Sequence, residues 1–242
     1  MFFKMSFTVK EISAFYRSHL GKYVKQTIEK ELYNLSPLQD IQKTVLGLGY
    51  ATPYLTEHMK HHFVFSFMPE DLGVELWPDE KLSKVALIHD WLIPLSNQSV
   101  DLSILIHSLE FSNHKQAFLQ ELWRILKKDG SIIVVVPNRL SFWSSFEKTP
   151  FGHGSPFTMG QLINLFSQNG FEIVKQKRLL YLPPINSFLI HSLLKPLERL
   201  APYFIKKLSG VNIILAKKKT FILTPIKNEE RIRDEEFSLQ TV

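Results

Sequence analysis

Cysteine is missing from the 242-residue chain, which excludes a disulfide scaffold, a thiolate nucleophile and any cysteine-ligated zinc or iron–sulfur centre. Long apolar runs are missing too: no stretch approaches the roughly 20 residues needed to cross a bilayer. The first residues, Met1 to Phe7, are apolar but interrupted by Lys4 and Ser6, and no small-residue cleavage pattern follows them. They do not read as a signal peptide, so a cytoplasmic location is expected. Glycine and proline, at 10 and 13 residues, are too sparse for a collagen-like or low-complexity chain. What is present is core-forming: 45% of residues are apolar and 12% aromatic, which excludes general disorder. On a prior of about 100–200 residues per domain, the chain makes one large domain or one domain with an appendage.

Charge is unevenly spread. Between Phe171 and Thr220 ten Lys and Arg face two acids, Glu172 and Glu198, so this stretch carries +8 of a net +6 and the remainder sums to −2. That asymmetry fits an anionic partner in the carboxyl-terminal third, or simply a solvated basic face.

Apolar residues from Val9 to Leu32 recur at helical spacing, and Gly21 is expected to separate two short helices. Seven short apolar runs read as strands, at 44–49, 62–67, 84–89, 100–106, 131–136, 171–181 and 211–219. Ser131–Val136 is a continuous β-branched run of the kind found in a central strand covered on both faces. Helices are expected after Thr52, with Pro53 in the first turn, over His114–Lys127 and over Thr158–Asn169. Lys127-Lys128-Asp129-Gly130 is taken as the end of the second of these. Strands alternating with helices imply an α/β fold with a doubly wound, mostly parallel sheet.

The first chemical constellation is Val45-Leu46-Gly47-Leu48-Gly49-Tyr50-Ala51-Thr52-Pro53, a strand, a glycine turn and a helix start. Such a turn lets backbone approach a ligand, and ligands of open α/β sheets lie outside the carboxyl ends of the strands. A plain tight turn has the same pattern. Asp90 and Trp91 follow the third strand, where the acid can accept from an exocyclic amine and the indole can cover a flat base. His107 ends the fourth strand.

In this order the segments resemble a class I S-adenosylmethionine-dependent methyltransferase of the small-molecule type 11 kind, over about residues 40–180. Gly49–Leu55, Val136–Arg139 and Thr149–Gly154 are also similar to motifs of an uncharacterised bacterial methyltransferase group. The resemblance implies a Rossmann-like, seven-stranded sheet with helices on both faces and S-adenosylmethionine as cofactor. It places Gly47, Leu48, Gly49 and Tyr50 at the methionine moiety, Asp90 and Trp91 at the adenine, and His107 in the wall of the site. Val45 and Ala51 stand where the common pattern has an acid and a third glycine. Strand two lacks the acid that in the family pairs with the ribose hydroxyls, so the resemblance implies either ribose recognition through backbone groups near Met68 or a displaced Glu70, or a weak or vestigial site.

Methyl transfer from a sulfonium asks the protein mainly to align the acceptor and exclude water. A general base is needed only if the acceptor loses a proton. His153, between Gly152 and Gly154, is the candidate for acceptor binding or base work, with a structural hydrogen-bonding role as the alternative. Asn138 and Arg139 are candidates for holding an anionic acceptor, although Asn138 can equally close the turn. The cluster His58-Met59-Lys60-His61-His62 has no acid nearby except Glu57 and is not read as a metal site.

From Leu189 to Leu208 apolar residues form a helical stripe with Lys195, Arg199, Lys206 and Lys207 on other faces. This basic amphipathic segment would lid the substrate site or lie on a membrane surface through 186–208. Lys217-Lys218-Lys219 is expected to emerge into solvent. Base-stacking aromatics are not interleaved with the basic residues, which argues against a nucleic-acid substrate. The expected organisation is a helical cap at 1–40, a cofactor-binding core at 41–181, the basic segment and final strand at 182–222, and a disordered tail at 223–242. The expected function is methyl transfer to a small-molecule acceptor. The alternative is a non-catalytic methyltransferase-like binding or scaffold module, and a nicotinamide-dependent enzyme fits less well.

Overall fold

The structure is a computed structural model that describes residues 7–38, 42–89, 91–185, 200 and 204–219. The expected tail at 223–242 and nearly all of the amphipathic stretch at 186–203 lie outside the described residues.

Two helices open the chain, α1 (Val9–Arg17) and α2 (His19–Leu35). Thr8 and Glu11 form a capping box at the start of α1, and Val9, Ile12, Phe15 and Tyr16 make its buried stripe. The break between the helices falls at Ser18 rather than at Gly21. Ser18 is extended and its hydroxyl accepts from the Gly21 amide, so it caps α2. Gly21 lies inside the first turn of α2, where a Cβ would collide with the Phe15 carbonyl.

Seven strands follow: β1 (Thr44–Gly49), β2 (Phe63–Pro69), β3 (Val85–Ile88), β4 (Val100–Ile106), β5 (Leu126–Pro137), β6 (Phe171–Leu179) and β7 (Val211–Lys218). They form one sheet in the order β3-β2-β1-β4-β5-β7-β6. All neighbours are parallel except β7, which runs antiparallel to both β5 and β6. Alternation along the strands feeds two cores. Val45, Leu102, Ile104, Ile133 and Val135 face α1 and α2. Leu46, Leu105, Ile132, Val134 and Val136 face α3 (Lys115–Ile125) and α4 (Met159–Gln168). Helices therefore cover both faces, and β5 is buried from Gly130 to its end.

Three local expectations are corrected. The helix after the glycine turn reduces to two short 3-10 turns, Thr52–Tyr54 and His58–Lys60. Tyr50, Ala51, Tyr54 and Leu55 are buried, but the next turn, Thr56 and Glu57, is exposed, so no apolar stripe continues to hold a helix. Lys127-Lys128-Asp129-Gly130 does not cap α3: Leu126 already pairs with Val100, and Lys127 reaches Asp101 at 2.7 Å from within β5. Lys218 does not emerge into solvent. Its ammonium donates to the Leu126 carbonyl and lies 3.9 Å from the centre of the Trp123 ring.

The carboxyl third is woven into the sheet. Trp143, buried behind β5, donates its indole N–H to the Leu182 carbonyl at 2.7 Å, and the Gly210 amide donates to Leu180 at 2.8 Å. Trp143→Ala is expected to cost about 3–5 kcal/mol in urea unfolding. Trp143→Phe should cost about 1–3 kcal/mol, because it leaves the Leu182 carbonyl unpaired.

Candidate active site

The strand order reverses between β1 and β4, and the chain closes up there. Gly49 has φ +75°, and a Cβ on it would collide with the carbonyl oxygens of Ile106 and His107. The Tyr50 amide donates to the Ile106 carbonyl at 2.8 Å, and His107 turns away from the strand with φ +51°. Gly47 is packed against Leu55 and Ala51.

A hollow of about 230 Å3 opens beside this junction, along the carboxyl edges of β2, β3 and β4. Its wall takes Glu70 and Asp71 from just past β2, His89 and Trp91 from past β3, and Ser108 and His114 from the loop between β4 and α3. Trp91 is 46% exposed, stacks on the His89 ring at 4.8 Å and meets the His114 ring edge-on at 4.7 Å. Glu70 lies 3.4 Å from the His89 imidazole. The lining thus combines carboxylates, a flat indole face and small hydroxyls, a donor and acceptor set suited to a polar ligand with a planar base.

The loop that carries Trp91 is held from α3. Arg124 donates to the carbonyls of Ile93 and Leu95, to Asn97 and to both oxygens of Glu121, while Glu121 accepts from the Ile93 amide. The Arg124 guanidinium is the main reason the Glu121 carboxyl sits below its ordinary range.

A second group of polar side chains lies under α1. Ser13 and Tyr50 both donate to the Glu75 carboxylate, at 2.9 and 2.6 Å, and Arg17 donates to Ser13. The Tyr16 hydroxyl lies 2.8 Å from His107 Nε2, and His107 Nδ1 lies 3.4 Å from Glu110 Oε1. Tyr16 stacks on Tyr50 and meets Tyr54 edge-on. Burial pushes all three phenols above their ordinary range, helped at Tyr16 by the neighbouring Tyr54 and at Tyr50 by Glu75, so each is neutral at physiological pH.

The residues singled out from sequence fall into three places. Trp91 lines the hollow, with Glu70 beside it, and Asp90 lies outside the described residues. Gly47, Leu48, Gly49, Tyr50 and His107 are buried at or behind the β1–β4 junction, which touches the hollow through Ser108, and Met68 is buried in β2 next to the hollow-lining Pro69. Asn138 and Arg139 follow β5 directly, and the loop that carries His153 packs through Gly154 and Ser155 on Glu110. Asn138 donates to the carbonyls of Lys207 and Ser209, Arg139 to that of Pro156, and His153 Nε2 sits 2.7 Å from the Glu147 carbonyl with its ring against Phe7. Tyr16, Glu75, Glu110 and the hollow-lining segment from Ser108 to His114 were not anticipated. For that segment a signal existed: polar residues directly following a buried strand must lie at the sheet's carboxyl edge.

Residues 46–134 match a family model described as a methyltransferase domain. No curated protein matches the chain. Among solved structures, a methyltransferase of Thermotoga maritima described as a possible histamine N-methyltransferase is 17% identical, with TM-score 0.58 over 88% of this chain and 96% of that one. A methyltransferase of Archaeoglobus fulgidus is 19% identical, with TM-score 0.57 over 80% and 94%. Geranyl diphosphate C-methyltransferase of Streptomyces coelicolor is 12% identical, with TM-score 0.57 over 82% of each chain. The segment from β1 to β5 thus carries the similarity to a methyltransferase domain, and the sheet as a whole has the fold of these solved methyltransferases.

Arg124→Ala should destabilise the protein by about 1–3 kcal/mol near neutral pH, since it strands the Ile93 and Leu95 carbonyls and the Glu121 carboxylate. Because Glu121 is held below its ordinary range, this pair's contribution is present above about pH 4.3 and is lost as pH falls through the lowered value. Urea unfolding of wild type and variant should therefore converge on acidification.

Proposed function

We propose that this protein transfers a methyl group from S-adenosylmethionine to a small-molecule acceptor. The observation that carries this reading is the hollow at the carboxyl edges of β2, β3 and β4, with carboxylates and an indole in its wall. Glu70 or Asp71 would accept from the ribose hydroxyls in place of the acid missing from β2, and Trp91 would cover the adenine. Ser108 leads from the hollow to Gly49 and His107, so the sulfonium end would point to the β1–β4 junction. There α1, Phe151 and Trp143 supply an apolar, water-excluding surround. Such an enclosure suits a small acceptor better than a polymer. Two of the structural neighbours are described by small substrates, histamine and geranyl diphosphate.

With this arrangement the cofactor supplies the electrophilic methyl group when bound. The protein's part is to orient the donor through the hollow and to hold the acceptor dry and in line. His153, Asn138 and Arg139, whose polar groups are engaged by main-chain carbonyls, would support the loops around the acceptor rather than react with it.

Isothermal titration with S-adenosylhomocysteine tests the reading. Wild type should bind, and Glu70→Gln and Trp91→Ala should each weaken binding about tenfold, or ~1.4 kcal/mol. Absence of binding by folded wild-type protein would leave the non-catalytic scaffold as the better description.

A further inference from the structure

Just before β7 the described surface carries a run of bare side chains. Phe204, Ile205, Lys206, Lys207 and Leu208 are five consecutive exposed residues, with Phe204 84% exposed, and only at Ser209 and Gly210 does the chain return to the core. In the loop after β5, Leu140, Phe142 and Phe146 are exposed as well, Phe142 at 64%. The two segments are pinned together from below. Asn138 donates to the carbonyls of Lys207 and Ser209, its amide donates to Gly210, and the Ser141 hydroxyl lies 3.4 Å from the Gly210 carbonyl. Gly210 is in turn packed on the buried Trp143 ring. The six apolar residues therefore share one braced face at the carboxyl edge of β5, where antiparallel β7 begins.

Single apolar side chains on a surface need no explanation, but a group of them marks a contact. The charge around this group has one sign. Arg139, Lys206 and Lys207 are exposed, and no Asp or Glu occurs at 138–146 or 204–210; Glu147, just past the first segment, is followed by Lys148. Such a face complements an anionic bilayer: phenyl and aliphatic side chains enter the boundary between headgroups and acyl chains, while ammonium and guanidinium groups stay among the lipid phosphates. Other occupants fit less well. A second copy docked through the same face about a two-fold axis sets like charges against each other. The stretch at 186–203 carries Lys195 and Arg199 against Glu198, so it brings no surplus of negative charge to match. A single-stranded nucleic acid would stack on the phenyl rings, but Leu140, Ile205 and Leu208 offer it no such surface.

We propose that this face, made by Leu140, Phe142 and Phe146 with Phe204, Ile205 and Leu208, docks the protein on an anionic membrane surface. The apolar residues supply the insertion and Arg139, Lys206 and Lys207 the attraction to lipid phosphate. The inference stands apart from the methyl-transfer reading, because it uses none of the residues of the hollow. Docking sets the carboxyl edge of β5 against the bilayer, and the hollow, along β2, β3 and β4, lies outside the covered face.

Sedimentation of the full chain with lipid vesicles tests the docking. Phosphatidylcholine vesicles containing about one-third phosphatidylserine should carry the protein down, vesicles of phosphatidylcholine alone should bind it about tenfold less, and added salt should release it. Phe142→Ser and Phe204→Ser should each weaken binding about tenfold, and K206E/K207E by about tenfold or more. Phe63→Ser is the control: Phe63 is 75% exposed at the opposite, amino edge of β2, and its loss should leave binding unchanged. All the altered side chains are exposed, so urea midpoints should stay at the wild-type value. Wild type that remains in solution with the anionic vesicles overturns the proposal, and so does equal sedimentation with both vesicle types. Binding that Phe142→Ser, Phe204→Ser and K206E/K207E all leave intact assigns the contact to another part of the chain and overturns it as well. A concentration-dependent dimer that Phe142→Ser abolishes, with no vesicle binding, gives the face to a second copy instead.

Discussion

The contact on which the site depends is the approach of Gly49 to the carbonyls that end β4. Only a residue without a Cβ, and with access to positive φ, fits there. The approach draws β1 and β4 together at the point where strand order reverses. It leaves the edges of β2 and β3 open on one side and forces His107 to turn back under α1 on the other. One close contact thus divides the carboxyl edge into an open compartment with carboxylates and an indole and a closed compartment with three tyrosines and a histidine.

Electrostatics reinforce this division. On the open side the carboxylates of Glu70 and Asp71 remain within reach of water. On the closed side Tyr50 and Ser13 donate to Glu75, and the Tyr16 hydroxyl lies within hydrogen-bond distance of His107. Fixed polar groups in a dry surround are worth more than the same groups in water, because they need no rearrangement when charge develops. Helix α1 supplies Ser13 and Tyr16 to these contacts.

Much of the architecture was legible from sequence because periodicity is a local property. The run from Ser131 to Val136 could only be a strand covered on both faces, and the Thr158 and Gln161 capping box marks α4 without ambiguity. The stretch after Gly49 misled because Thr52-Pro53 is good helix-start chemistry, while the apolar stripe needed to keep a helix packed stops at Leu55. Lys127–Gly130 misled in the same way, since C-cap chemistry was outweighed by pairing of Leu126 with Val100. In the site, Glu70 and Trp91 could be found because they follow strands directly. Tyr16 and Glu75 could not. Their roles arise from contacts between segments 91 and 25 residues apart in sequence, and no spacing rule reports those.

The hydrogen bond from Gly210 to Leu180, beside the Trp143 indole on Leu182, joins the two stems of the chain between β6 and β7. Whatever lies between them is an excursion whose ends are already clamped by the sheet. Lengthening such an excursion is thermodynamically cheap, about 0.6 kcal/mol per doubling for a flexible loop. Antiparallel β7, set between β5 and β6, thus gives the molecule a socket into which segments of different length and character can be exchanged over evolutionary time without re-registering a strand.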